Sequence, residues 1–170
     1  MSIIFSTIHG SRLYGLDHAG SDDDQYVVYE EKRGAHQSVT GKDDITRVGL
    51  HDFLDKAFSG SHQSVEALFS PYKVWELDEY RPFIENAVIP AGGIREKYMR
   101  TIKKFSFEDF KRRRHAVRLG MSVMGMQAEG RFNPRLSPQQ IEEANYLAEY
   151  FWGQALYKEI VDRIELDSGF

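Results

Sequence analysis

A chain of 170 residues, 41% hydrophobic and 28% charged, has enough material for one ordinary core or a compact domain with an appended helical unit. It contains no cysteine, which excludes disulfides and thiolate metal sites. The net charge of −4 argues against a generic nucleic-acid binder, but ten Lys and Arg stand against three Asp and Glu between Arg95 and Arg118, while the first thirty residues are acidic.

The N-terminal stretch Met1–Ser6 lacks the basic start and long apolar run of a signal peptide, and no run is long enough to span a bilayer. The expectation is a cytoplasmic protein with no membrane partner. In chain order, Ile3–Ile8 reads as a buried strand entering a turn at Gly10, and Asp22–Tyr29 as the next strand. Gly34–Lys42 reads as a polar loop and Asp44–Val48 as a third strand. Leu50–Phe58 carries apolar residues at 50, 53, 54, 57 and 58, the stripe of an amphipathic helix, with Gly60 as its stop. Val65–Phe69 reads as a fourth strand ended by Pro71.

Beyond Pro71 the chain turns helical. Leu77–Ala87 is a short helix and Pro90–Gly93 a break. Ser106 is expected to cap a helix running to Glu129, with Asp109 as its third residue. Ser137, Pro138 and Gln140 start a last helix that runs to Ile164 and carries Tyr146, Tyr150, Phe151 and Trp152 into the core. The fold class is α+β: a small mixed-sheet unit over 1–72, then a helical unit over 73–170 packed on it.

The chemistry-bearing residues concentrate near the start. Gly10 and Ser11 form a small turn whose backbone N–H groups and hydroxyl suit a phosphate. Asp22 and Asp24 follow at i and i+2, a spacing that in a strand puts both carboxylates on one face, roughly 6.5–7 Å apart. Together they suit a divalent cation, and Asp23 faces the other way. A third carboxylate is needed from a neighbouring strand. Glu66, ionisable within an apolar run, is the first choice and Asp44 the second. Arg12 can clamp a phosphate. His9 and His18 read as structural or solvated, and Tyr14 as packing.

Gly10-Ser11 followed by Asp22-x-Asp24 resembles the nucleotidyltransferase signature of the DNA polymerase β superfamily. The fuller string, Gly-Ser-Arg-x-Tyr-Gly with Ser-Asp-x-Asp-x-x-Val-Val, is similar to predicted bacterial and phage nucleotidyltransferases. Val65–Phe69 fits the Glu-x-Leu-Phe element of that family. Lys111–Leu119, with His115 and Arg118, is similar to its His-x-x-Arg-Leu helix, and Gly130 and Gly153 fall where it tends to have glycines.

The resemblance implies a polymerase β-like core and transfer of an NMP from an NTP to a hydroxyl, with release of pyrophosphate. Gly10, Ser11, Arg12, His115 and Arg118 would then bind the nucleotide, ATP among the candidates. Asp22, Asp24 and Glu66 would hold Mg²⁺ or Mn²⁺, with Glu66 helping to activate the acceptor. The basic stretch favours RNA, such as a tRNA end, over a protein or small-molecule acceptor. A toxin paired with an antitoxin is a variant of the same reading. The alternative is a catalytically silent module that binds RNA or protein on the same fold.

Overall fold

The computed structural model describes residues 2–31, 35–40 and 43–167. Two compact units divide the chain, Met1–Ala87 and Val88–Phe170.

The first unit is built on a mixed five-stranded sheet of order β3-β4-β2-β1-β5. The apolar run Ile3–His9 is β1, with Ile4 and Phe5 fully buried. It leads through the short helix α1 (Gly10–Tyr14) to β2 (Asp24–Tyr29), which pairs with β1 antiparallel. The expected loop at 34–42 is corrected over Ala35–Thr40, which form β3, antiparallel to β4 (Asp43–Gly49). Gly34, Gly41 and Lys42 lie outside the described residues. Polar composition hid this edge strand, because such a strand gains its order from one neighbour's ladder rather than from burial. β4 runs parallel to β2.

Helix α2 (Leu50–Phe58) lays Phe53 and Ala57 on the sheet, with the Phe53 ring edge-on to Phe5 at 5.6 Å and tilted on Tyr26 at 5.9 Å. The expected fourth strand, Val65–Phe69, is instead the end of helix α3 (His62–Phe69). Every residue from Ser64 to Phe69 is buried, and a short run buried on all sides has no periodicity to separate helix from strand. The residues after 72 belong with this unit as far as Ala87. Val74–Trp75 form β5 against β1, and a 3₁₀ turn (Asp78–Tyr80) and helix α4 (Arg81–Glu85) follow.

Among the described residues, the second unit holds four helices: α5 (Ala91–Ser106), α6 (Phe110–Glu129), α7 (Pro138–Tyr150) and α8 (Gly153–Asp167). The expected break at 90–93 shrinks to Pro90, the extended residue that starts α5; Gly92 and Gly93 sit inside its first turn. Capping of α6 falls to Asp109, whose carboxylate accepts the Arg112 N–H at 2.9 Å. Ser106 instead bonds back to the Ile102 carbonyl within α5. The capping box of Ser137 and Gln140 forms as expected. The long last helix is two helices, because Phe151 is extended and Gly153 takes φ +57, with the Phe107 ring 3.1 Å from where a β-carbon would stand. Tyr146, Tyr150 and Trp152, expected in the core, are exposed. Ile94, Ile102, Leu119, Val123, Leu147 and Ile160 are among the core residues of this unit. No helix of the described residues is long and apolar enough to cross a membrane.

Candidate functional site

The site begins where β1 ends. His9 pairs with Asp24 across the β1–β2 ladder, and the next residue, Gly10, turns into α1 with φ +65. A β-carbon at Gly10 would fall 2.6 Å from Asp24 Oδ2. Glycine is therefore required twice, by backbone angle and by the approach of the carboxylate. Ser11 stands next in the same turn, and α1 closes on Gly15, whose N–H donates to the Ser11 carbonyl at 3.0 Å.

The parallel register sets Gln25 beside Ile45, so Asp24 and Asp44 lie side by side at the start of their strands. The Asp44 N–H donates to Asp24 Oδ1 at 3.3 Å, and the Asp23 N–H to Asp43 Oδ1 at 3.0 Å. Burial raises the Asp24 carboxyl above its ordinary value, and repulsion from Asp44, Asp22 and Asp43 adds to this. The Asp44 amide pulls the other way. Four aspartates are thus gathered beside the Gly10–Ser11 turn.

Asp22 does not belong to the strand, which starts at Asp24, so strand alternation is not what places it. Arg12 organises this stretch instead. Its guanidinium donates to the Ser21 and Asp22 carbonyls at 3.0 and 3.2 Å, and it pairs with Asp23 at 2.5 Å and Asp17 at 3.5 Å. Asp23, expected only to face away from Asp22 and Asp24, is therefore a structural partner in the turn.

Glu66 sits on α3 rather than on a strand. It is fully buried, and its Oε2 accepts the Tyr14 hydroxyl at 2.5 Å. One position away from Val65, Ser64 joins Tyr26 of β2 at 2.7 Å. His9 is buried with its ring near Tyr14 and Tyr26. His18 is exposed and accepts the Gly20 N–H. His115 and Arg118 lie on α6 of the second unit, where Arg118 Nε donates to His115 Nδ1 at 3.2 Å.

Sequence reasoning ranked Asp44 second and did not single out Asp43. The missing signal was the parallel pairing of β2 with β4, a long-range register that no local pattern encodes. Among the described residues, no three His, Cys, Asp or Glu side chains converge closely enough to hold a metal ion.

Residues 1–59 match the model of the RlaP, or RNA repair pathway DNA polymerase beta, family. That stretch is similar to polymerase β-like nucleotidyltransferases. The matched stretch spans β1 through α2 and includes the Gly10–Ser11 turn and all four clustered aspartates. Glu66, His115 and Arg118 fall outside the matched stretch. No curated protein matches the chain.

Proposed function

We propose that this protein transfers an NMP from an NTP to a hydroxyl acceptor and releases pyrophosphate. One observation carries the reading: Asp24 is pressed against the Gly10 backbone at the head of the Ser11 turn, with Asp44 at its side. A phosphate seat and hard oxygen donors then share one place.

Carboxylate oxygens are the donor type that Mg²⁺ or Mn²⁺ prefers, and the mutual repulsion around Asp24 favours a bound cation, although the carboxylates must draw closer than they stand to share one. Asp22 and Asp24 would hold it, with Asp44 as third carboxylate; Glu66 is the alternative third. When bound, the cation neutralises phosphate oxygens and favours in-line displacement. The Gly10–Arg12 backbone and the Ser11 hydroxyl would hold the triphosphate. The acceptor oxygen bonds to the α-phosphorus and the bond to the β-phosphate bridge breaks. The acceptor proton passes to a nearby carboxylate or to water. Positioning and charge neutralisation supply most of the rate. The RNA-repair description of the matched family and the basic stretch 95–118 support RNA as acceptor.

The test is incubation with each α-labelled NTP, Mg²⁺ or Mn²⁺, and pooled RNA. Label should pass to RNA, and Asp24→Asn should reduce transfer by at least about a hundredfold, as expected when a group neutralising transition-state charge is lost. Transfer that survives both Asp24→Asn and EDTA would overturn the reading. A chain that binds RNA in EDTA and transfers nothing would be the silent module.

A further inference from the structure

Helix α1 is five residues long and lies between Gly10 at φ +65 and Gly15 at φ +82. A helix this short does not hold itself together in water. Glycine at either end leaves its tilt to be set by other contacts. Leu13 and Tyr14 are its buried residues. Leu13 packs without direction. The Tyr14 hydroxyl, by contrast, donates to Glu66 Oε2 at 2.5 Å.

Glu66 comes from α3, which reaches the other half of the site as well. Ser64, two residues earlier, bonds to the Tyr26 hydroxyl at 2.7 Å, and Tyr26 follows Asp24 by two residues on β2. The His9 ring lies 6.3 Å from that of Tyr14 and 5.8 Å from that of Tyr26. The three rings form one buried cluster, joined to Asp24 through its pairing with His9.

Stability alone gives no reason for an ionisable side chain at position 66. Glu66 is fully buried within an apolar run, where enclosing its oxygens costs free energy that a leucine would not. A hydrogen bond between two buried partners adds little over an apolar pair of the same shape. What it adds is direction, because its strength falls steeply as the angle opens. Ser11 stands one helical turn before Tyr14, so whatever fixes Tyr14 fixes Ser11.

We propose that Glu66 is a positioning residue: through Tyr14 it sets the tilt of α1, and so the place of the Ser11 hydroxyl beside Asp24. The inference rests on the transfer reading and gives Glu66 a task there other than holding the cation.

The experiment is steady-state transfer with NTP and Mg²⁺ varied separately, beside amide hydrogen exchange of the unliganded chain. Tyr14→Phe and Glu66→Leu should each raise the NTP KM about tenfold, since a small misplacement of a binding group is costly. Neither should change the Mg²⁺ concentration that gives half the maximal rate. A mere loss of folded protein would lower kcat and leave KM alone. Glu66→Gln keeps an acceptor for the hydroxyl and should recover most of the affinity lost in Glu66→Leu. Tyr14→Phe/Glu66→Leu should be no worse in KM than either single variant, because all three lack the same bond. In the unliganded chain, Tyr14→Phe should speed exchange of the Gly15 and Leu16 amides, which donate to the Ser11 carbonyl at 3.0 and 2.9 Å, and leave the α2 amides at the parent rate. Unchanged exchange or unchanged KM in Tyr14→Phe would each overturn the proposal. So would losses that multiply in the double variant, or a raised Mg²⁺ requirement in Glu66→Gln, which would make Glu66 a ligand. A parent that transfers nothing overturns the transfer reading instead, and exchange then still decides whether Glu66 holds α1.

Discussion

Asp24 is held where its own charge is unwelcome, partly buried and among Asp22, Asp43 and Asp44. Its folded pKa is raised, so between the ordinary value of 3.8 and the raised one the folded state binds more protons than the unfolded state. Stability therefore falls as pH rises through that window, and the penalty is fully present above it. Asp24→Asn should raise the thermal midpoint at neutral pH, with the gain fading as pH falls toward 3.8, while removing transfer. Calorimetry across pH checks the first half. Mg²⁺ should raise the midpoint of the parent and not of this variant. The same measurement ranks the third carboxylate: Asp44→Asn should abolish the Mg²⁺ shift and Glu66→Gln should preserve it. Glu66→Ala should cost about 1–3 kcal/mol whatever the metal, because the Tyr14 hydroxyl loses a buried acceptor.

At the scale of elements, the lesson is that burial outweighs local pattern. The stripe of Leu50–Phe58 and the capping box at Ser137 were legible because each is written in adjacent residues. The run Val65–Phe69 was not, since a segment enclosed on every side offers no polar face to betray its period. The same holds for the site: Asp22 and Asp24 could be read beside Gly10, whereas the place of Asp44 depended on which strands pair. Helix α3 is tied to the sheet by the Tyr26–Ser64 hydrogen bond, and burial pushes the Tyr26 phenol up to about 12. The unfolded phenol ionises near 10.0, so this group makes the fold less stable as pH rises from there through about 12. Tyr26→Phe should weaken that alkaline loss, seen as a shallower fall of the urea midpoint above pH 10 than in the parent.

At the scale of the molecule, the two units differ in charge. Met1–Ala87 holds eight Lys and Arg against fifteen Asp and Glu, and Val88–Phe170 fourteen against eleven. The overall sum of −4 hides this division between an acidic first unit and a slightly basic second one. Each unit also contains one of the two tryptophans, Trp75 and Trp152, so single-tryptophan variants report on them separately. In the second, a β-carbon at Gly120 would fall 2.6 Å from Ile160 Cγ2 where α6 crosses α8. Overpacking costs about 1–3 kcal/mol, against roughly 1 kcal/mol gained by replacing a helical glycine with alanine. Gly120→Ala should therefore lower the urea midpoint followed by Trp152 in a Trp75→Phe background.

Gly10 has a consequence that reaches past this one chain. Because a single methyl group there would fall 2.6 Å from the Asp24 carboxylate oxygen, the position works as a marker of whether this arrangement is kept. A descendant that keeps every aspartate yet carries any side chain at this point has had to move Asp24 away from the turn.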